Sequence, residues 1–343
     1  MATSSTSSFN AARLTRRRLA ASAGSLAVAL LLLDVAGASA SAAPPIHARV
    51  TDGTLFVIGT PFADRIALRT DAADANMLDI DAGANNTADA TVDLRTFNNI
   101  VVATGFGNDF VQLDTANGAF TTAKRTVVFG DRGNDTLIGG SGNETFFGGS
   151  GDDFVDGNGG TDTAFLGSGN DTFVWDPGDG NDTVEGGSGF DTHVFNGAGG
   201  PETFAATANG TRVTFNRSPG GIVMDLNSIE RLDVNTLDGA DLVTINSLAG
   251  TGLTQVNVDL AKTLGGSTSD AVADTVNVNG TAGDDTIHAS ASGGVVTVSG
   301  LAATVRISHA DAALDKLNID GLGGSNIELV DGAVNGVIGF SLK

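Results

Sequence analysis

Between Gly130 and Val194, apolar and polar residues recur with a nine-residue period. The eighth position of each nonapeptide is apolar in six of seven copies, and the seventh is mostly Thr. Alternation of this kind places neighbouring side chains on opposite faces of a short strand. The period therefore predicts one turn and one short strand per nonapeptide, with the eighth residue facing inward. Two nonapeptides would complete one coil of a flattened solenoid.

The seven copies also share a glycine at position four and an acid at position six. They read GDRGNDTLI (130–138), GGSGNETFF (139–147), GGSGDDFVD (148–156), GNGGTDTAF (157–165), LGSGNDTFV (166–174), PGDGNDTVE (177–185) and GGSGFDTHV (186–194), with Trp175 and Asp176 inserted after the fifth. Glycine permits the positive φ angles that tight turns need. A carboxylate at such a turn offers the hard oxygen ligand that calcium prefers.

The position-six acids are the candidate metal ligands. They are Asp135, Glu144, Asp153, Asp162, Asp171, Asp182 and Asp191. Acids two nonapeptides apart share one edge of the solenoid, so the carboxylates are predicted to form two columns, one along each edge. Like charges stacked at the strand spacing of about 4.8 Å repel strongly. A divalent cation between successive coils, bound by carboxylates and by carbonyls of the glycine turns, would remove that repulsion.

These nonapeptides resemble the RTX, or haemolysin-type, calcium-binding repeat, whose form is G-G-x-G-x-D-x-U-x. The strict resemblance covers 65 of the 343 residues. It implies a parallel β-roll that holds several Ca²⁺ ions in its turns. Glu144 departs from the pattern through its longer side chain, and His193 occupies an inward position in the last repeat. The alternative interpretation, a disordered acidic linker, does not explain the fixed register, although it describes the state expected without calcium.

A longer and weaker repeat flanks the nonapeptides. A degenerate nonapeptide, a β-rich stretch and a second degenerate nonapeptide recur over 57–113, 196–245 and 279–330. Within these modules Asp109 and then Asp285 are the best further calcium ligands. For Asp64 and Asp241, a turn residue that accepts hydrogen bonds from local backbone amides is an equally good interpretation, and Glu202 is expected to be structural.

The predicted fold is therefore all-β, a parallel β-roll (nonapeptide solenoid) flanked by degenerate β-repeat modules. The predicted domains are an N-terminal β-repeat module (44–113), the calcium-binding roll (130–195) and C-terminal β-repeat modules (196–343). Helix is expected to be scarce, with 248–264 and 308–316 as the ambiguous stretches.

Charge and composition narrow the set of partners. The chain carries 40 acidic against 18 basic residues, a net charge of −22, which argues against nucleic acid as a partner and favours cations. Cysteine is absent, so no disulfide stabilises the fold. The strict repeats alone hold eleven Asp and two Glu against Arg132. We therefore expect calcium binding to be coupled to folding.

The first 40 residues have the pattern of a cleaved export signal. Four arginines precede an apolar stretch from Leu19 to Leu33, and an Ala-x-Ala site ends at Ala40. The apolar stretch is shorter than the roughly 20 residues that span a bilayer, and no later run reaches that length, so no transmembrane segment is expected after signal removal. The adjacent arginines leave both the twin-arginine and the general secretory route open.

The sequence predicts a secreted calcium-binding protein that is not an enzyme. None of the four histidines has zinc-site spacing, and neither a G-x-S-x-G nucleophile motif nor a phosphate-binding loop occurs. The protein is expected to be a structural or interaction module, for which a cell-surface or glycan partner is an open possibility. The alternative is a β-solenoid lyase or epimerase that acts on polysaccharides, although the chain has no Tyr and few bases for a sugar platform.

Overall fold

A computed structural model describes residues 46–343, so the predicted export signal lies outside the described residues. Strands account for the secondary structure of this part, together with three short 3₁₀ turns at Leu94–Thr96, Phe120–Ala123 and Val334–Gly336. The strands are β1 His47–Thr51, β2 Thr54–Ile58, β3 Arg65–Thr70, β4 Met77–Ala82, β5 Ala90–Asp93, β6 Asn99–Ala103, β7 Phe110–Asp114, β8 Arg125–Arg132, β9 Thr136–Ile138, β10 Glu144–Ser150, β11 Phe154–Asp156, β12 Thr163–Ser168, β13 Thr172–Trp175, β14 Thr183–Ser188, β15 Thr192–Asn196, β16 Thr203–Asn209, β17 Arg212–Ser218, β18 Ile222–Asn227, β19 Arg231–Asn235, β20 Leu242–Ile245, β21 Gln255–Asp259, β22 Thr275–Asn279, β23 Thr286–Ser292, β24 Val295–Ser299, β25 Thr304–Ser308, β26 Lys316–Asp320, β27 Ile327–Val330 and β28 Gly339–Leu342.

The strands form two sheets of 14 strands each. Sheet A has the order β1-β2-β6-β8-β10-β12-β14-β18-β17-β16-β20-β22-β26-β28, and sheet B has the order β27-β23-β24-β25-β21-β19-β15-β13-β11-β9-β7-β3-β4-β5. Through the strict repeats the chain alternates between the sheets, and all strand pairs there are parallel. The predicted all-β fold with a parallel β-roll is confirmed.

Nonapeptide register determines which side chains enter the core. Position eight is fully buried in all seven copies, including His193 in the last. In sheet B, Leu137, Val155 and Phe173 lie in register on successive coils. On the outer face of sheet A, the rings of Phe129, Phe147 and Phe165 stack at centroid distances of 4.8 and 5.0 Å. These distances match the strand spacing, so each coil adds one strand to each sheet.

Each flanking module contains a three-stranded antiparallel meander inserted into the parallel roll. The meanders are β3-β4-β5, β16-β17-β18 and β23-β24-β25. The first and third extend sheet B, whereas the second extends sheet A. The sequence repeat therefore corresponds to a repeated structural unit, and the two sheets run across the predicted domain boundaries. The stretches 248–264 and 308–316 contain turns, strand β21, the end of β25 and the start of β26, and no α-helix among the described residues.

Candidate calcium-binding turns

Every position-six acid lies at the end of a turn, at the point where a strand begins. Asp135, Asp153 and Asp171 directly precede strands of sheet B, and Asp162 and Asp182 directly precede strands of sheet A. All seven acids are at most 2% exposed. The two carboxylate columns predicted from the spacing are therefore present, and they lie buried along the two edges of the roll.

Backbone hydrogen bonds connect the acids of each column from coil to coil. The N–H of Asp135 donates to Oδ1 of Asp153 (2.8 Å), and the N–H of Asp153 donates to Oδ1 of Asp171 (2.7 Å). The same contact joins the other members of the first column, which runs Asp64, Asp109, Asp135, Asp153, Asp171, Asp191 and Glu230. The second column runs Glu144, Asp162 and Asp182. Each carboxylate after the first of its column thus fixes the turn of the preceding coil.

The second oxygen of these carboxylates behaves differently. It is buried and accepts no hydrogen bond in Asp109, Asp135, Asp153, Asp162, Asp171, Asp182 and Asp191, and Oε1 of Glu144 is in the same position. A hydroxyl close to Asp109, that of Thr104, donates to the Gly130 carbonyl (2.9 Å) instead. A buried anionic oxygen without a partner is costly. The arrangement therefore requires a proton or a bound cation at each turn.

Burial raises the pKa of these carboxyl groups. It is the largest cause of a pKa of about 7 for Asp135 and Asp153 and of about 9 for Asp162, and neighbouring carboxylates raise these values further. The pKa values of Asp182 and Asp191 rise to about 6 for the same reason. The backbone N–H bonds to Oδ1 oppose the shift without cancelling it. At neutral pH, the buried carboxyl groups of the metal-free repeats are therefore partly protonated and partly left as unpaired anions.

The turns are held open by backbone conformation. The residue four positions before each unsatisfied Asp of the repeats has a positive φ, as in Asp131 (68°), Gly149 (118°) and Asn158 (51°). The glycines also allow adjacent turns to stack closely, because a Cβ on Gly149 would lie 2.0 Å from the carbonyl oxygen of Asp131. Carbonyl oxygens of one coil therefore lie against the turn of the next.

The described residues contain no cluster of three or more His, Cys, Asp or Glu side chains arranged around one point. A calcium ion in these turns would therefore take one or two carboxylate oxygens and complete its shell with backbone carbonyls, which calcium accepts readily. The unsatisfied buried oxygens and the stacked glycine turns fit such an ion. Several ions along each edge would be needed to compensate all the acids.

The remaining predicted ligands divide into two kinds. Asp109 resembles the array, since its turn contains Gly105 with φ of 100° and its Oδ2 accepts no hydrogen bond. Asp285 is different, because both the N–H and the hydroxyl of Thr281 donate to its carboxylate (2.7 and 3.1 Å). Glu144 is intermediate, since its longer side chain reaches the N–H of Gly140 (2.9 Å) while Oε1 stays unsatisfied. The structure therefore leaves Asp285 with the least capacity to bind an ion.

Comparison with known proteins gives one family match. The model of the RTX calcium-binding nonapeptide repeat matches in four copies, at residues 123–155, 138–173, 178–192 and 277–292. The chain therefore carries RTX calcium-binding repeats, as the sequence predicted. No curated protein matches the chain.

Among solved structures, the chain is similar to that of an extracellular lipase, LipA, from Serratia marcescens. The two are 12% identical with a TM-score of 0.20, and the match covers 62% of this chain and 43% of the lipase chain. The described residues contain no helix that is both long and apolar enough to cross a membrane.

Proposed function

We propose that the protein is secreted and that its RTX repeats fold around several calcium ions to form a structural or interaction module. The observation that carries this proposal is the row of buried carboxylate oxygens without hydrogen-bond partners in Asp135, Asp153 and Asp171 and their counterparts. Calcium is abundant outside cells, so binding there would stabilise the folded roll after export. The signal-like pattern of residues 1–40 supports the same location.

We also propose that the carboxylates of the repeats do not catalyse a reaction. A general acid or base must reach the proton it transfers. The seven position-six acids are buried, and one oxygen of each of the six aspartates accepts a backbone N–H of the adjacent coil. Incubation of the calcium-loaded protein with acidic and neutral polysaccharides should release no reducing ends and no unsaturated sugars. Degradation with turnover would favour the lyase or epimerase alternative.

The main test is a calcium titration of the chain from residue 41 onward. Calorimetry should give a stoichiometry of several ions with affinities on the order of 10⁻⁴–10⁻³ M, the range of extracellular calcium modules. Circular dichroism should change from a largely disordered spectrum in chelator to a β-rich spectrum in millimolar calcium. An unchanged spectrum and melting temperature, with no ion bound, would contradict the proposal.

A pair of neighbouring aspartates provides the matched control. Asp153→Asn keeps an oxygen to accept the Asp135 N–H but removes the buried charge, so calcium affinity should fall at least tenfold for the affected ions. Asp152→Asn removes the same charge one residue away on an exposed side chain. Its Oδ1 accepts the Asn170 N–H (2.7 Å), a contact that Asn134 makes with Asp152 in the preceding coil. Calcium affinity should change less than twofold in this control, and equal losses in both variants would contradict the assignment.

A further inference from the structure

A further column of acids continues along sheet A beyond the strict repeats. The N–H of Glu202 donates to Oδ1 of Asp241, that of Asp241 to Oδ1 of Asp274, and that of Asp274 to Oδ1 of Asp315, at 2.8 to 2.9 Å. The bonding is the same as in the repeats, although the sequence intervals here are 39, 33 and 41 residues. The family match does not include Glu202, Asp241, Asp274 or Asp315.

Both ends of this column are compensated by the protein itself. Glu202 accepts the N–H of Ala198 (2.7 Å) and forms an ion pair with Arg217. The second oxygen of Asp315 accepts the N–H of Asp311 (2.6 Å). Neither end therefore needs an external cation.

The two middle members lack such compensation. Asp241 and Asp274 are 3% and 2% exposed, and Oδ2 of each accepts no hydrogen bond. Burial is the largest cause that raises the pKa of both carboxyls, to about 7. The nearest lysine contact in this region, Lys262 with Asp238 (3.5 Å), lies between two exposed side chains and leaves the buried oxygens unpaired.

A third buried acid, Asp270, lies four residues before Asp274. It is 6% exposed, and its charge raises the pKa of Asp241 and of Asp274 by repulsion. It also fixes the local backbone, since its carboxylate accepts the N–H groups of Gly239 (2.9 Å) and Val272 (2.8 Å). Two buried carboxylates with one unpaired oxygen each, Asp241 and Asp274, thus lie on successive coils that neighbouring strands hold in register, with the charge of Asp270 nearby.

The backbone of the Asp241 turn is open in the same way as the turns of the repeats. Leu237, four residues before Asp241, has a φ of 69°. This conformation is unfavourable for a residue with a Cβ and is retained only where the surroundings require it. In the Asp274 turn the positive φ falls at Ala271 (64°), one residue later.

We propose that Asp241 and Asp274 bind a hard divalent cation, with Ca²⁺ as the expected ion, at a site outside the RTX repeats, and that the nearby charge of Asp270 strengthens its attraction for the ion. Its ligands are all oxygens, the donor type that such ions prefer. The segments that supply it, NTLDGAD (235–241) and STSDAVAD (267–274), hold one glycine between them, so the repeat pattern does not reveal the site. The site would join β20 and β22 in the way that array ions join successive coils.

The test is an ion count by native mass spectrometry on the chain from residue 41 onward, with Ca²⁺ and separately with Mg²⁺. The Asp241→Asn/Asp274→Asn variant keeps both Oδ1 acceptors and should bind one Ca²⁺ fewer than wild type. The control Asp284→Asn/Asp331→Asn removes two exposed charges from the same half of the chain and should bind the wild-type number. The Asp153→Asn/Asp171→Asn variant should lose array ions and retain the ion at Asp241.

Three results would overturn the proposed site. They are an ion count in the Asp241→Asn/Asp274→Asn variant equal to that of wild type, the same loss in the exposed control, and loss of every C-terminal ion when only the array is altered. Uptake of no ion by wild type would instead defeat the calcium function as a whole. If the double variant does not fold, Asp274→Asn alone provides the same comparison.

Discussion

The turns of the RTX array and the turns of the flanking modules differ in how their carboxylates are hydrogen-bonded. We call a turn closed where the residue four positions before the acid donates its N–H to the carboxylate, and open where it does not. In both, the N–H of the acidic residue donates to a side-chain oxygen of the next coil, as from Asp135 to Asp153 and from Asp64 to Asp109. In the flanks the carboxylate accepts the N–H of the residue four positions earlier in its own turn, from Thr60 to Asp64 (2.6 Å), from Ala198 to Glu202 (2.7 Å) and from Thr281 to Asp285 (2.7 Å). In the open turns of the array that N–H does not donate to the acid; one carboxylate oxygen accepts an N–H of the preceding coil instead, and the other stays unsatisfied.

The conformation of a single residue accounts for this difference. Residues at that position in the array have a positive φ, whereas Thr60, Ala198 and Thr281 do not. A positive φ turns the peptide so that its N–H no longer closes the turn. The Glu144 turn agrees with this rule, because Gly140 lacks a positive φ and the Gly140 N–H donates to Glu144 and closes the turn. A positive φ at the second position of the repeat, which glycine adopts most easily, thus keeps a turn open for an ion, and without it the turn satisfies its own carboxylate.

Removal of calcium should separate the two kinds of turn with the largest effect. In excess chelator, hydrogen exchange of the amides between 130 and 194 should accelerate by at least about a hundredfold, because the buried carboxylates lose their counter-ions. The meander β3-β4, where Arg69 pairs with the buried Asp81 (3.1 Å), should keep more of its protection. Mass spectrometry of peptides from one sample measures both regions. Equal acceleration in both would show that open and closed turns do not differ in their need for calcium.

A methyl group at the turn-opening position should be the next largest perturbation. Gly149→Ala places a Cβ at a φ of 118° and 2.0 Å from the Asp131 carbonyl oxygen. The positive φ alone costs roughly 1 kcal/mol, and the clash should bring the loss of stability in calcium to at least about 2 kcal/mol.

Gly200→Ala is the matched control for this substitution in a closed turn. Gly200 has no positive φ, and a Cβ there would meet no atom within 4 Å. The change in the free energy of unfolding should stay within about 1 kcal/mol, with either sign. A comparable loss in both variants, measured by urea unfolding in calcium, would remove the special role of the second glycine.

The sequence predicted the part of this comparison that depends on local pattern. The nonapeptide period identified the inward residues, the two columns and the acids from Asp135 to Asp191, because these repeat at fixed intervals. It did not predict that one oxygen of each of the six aspartates accepts an N–H of the adjacent coil. It also ranked Asp285 above Asp241 as a calcium ligand, and it did not predict the column that contains Asp241, whose members lie 33 to 41 positions apart. Those intervals depend on loop lengths and on which sheet receives each meander.

Acidification should stabilise the metal-free protein, an effect smaller than that of calcium. Asp135 and Asp153, whose folded pKa of about 7 exceeds the ordinary value of 3.8, bind protons more tightly in the folded state. Their contribution favours folding at low pH and is lost as the pH rises from about 4 to about 7, and for Asp162 to about 9. His193 opposes this trend, because burial lowers its pKa to about 3. Because the buried carboxyl groups outnumber this one imidazole, the net effect of acidification on the metal-free protein should be stabilising.

The measurement is the melting temperature in chelator between pH 5 and pH 8, which should be higher at pH 5. In saturating calcium the trend should weaken or reverse, because protons compete with the ion for the same oxygens. If the metal-free protein melted at the same temperature throughout this range, the open turns would not hold uncompensated carboxylates.

The smallest expected effect concerns the last coil of the array, where a polar ring occupies an apolar position. His193 is fully buried between Phe173 and Phe195, and neither ring nitrogen has a hydrogen-bond partner. Leaving such groups unpaired costs about 1–3 kcal/mol, so His193→Leu should stabilise the calcium-bound protein by about 1 kcal/mol. The control Phe173→Leu, which introduces the same side chain one coil earlier, should destabilise it through lost volume.

The pH dependence of His193→Leu separates loss of a buried imidazole from a general gain in packing. The folded-state pKa of His193, about 3, lies below its ordinary value of 6.5. The unfolded chain therefore takes up a proton that the folded chain excludes, and stability is lost as the pH falls from about 6.5 towards 3. The stability difference between His193→Leu and wild type should accordingly increase from pH 7.5 to pH 5 in calcium. A difference that is constant with pH would mean that the ring is not buried in its neutral form.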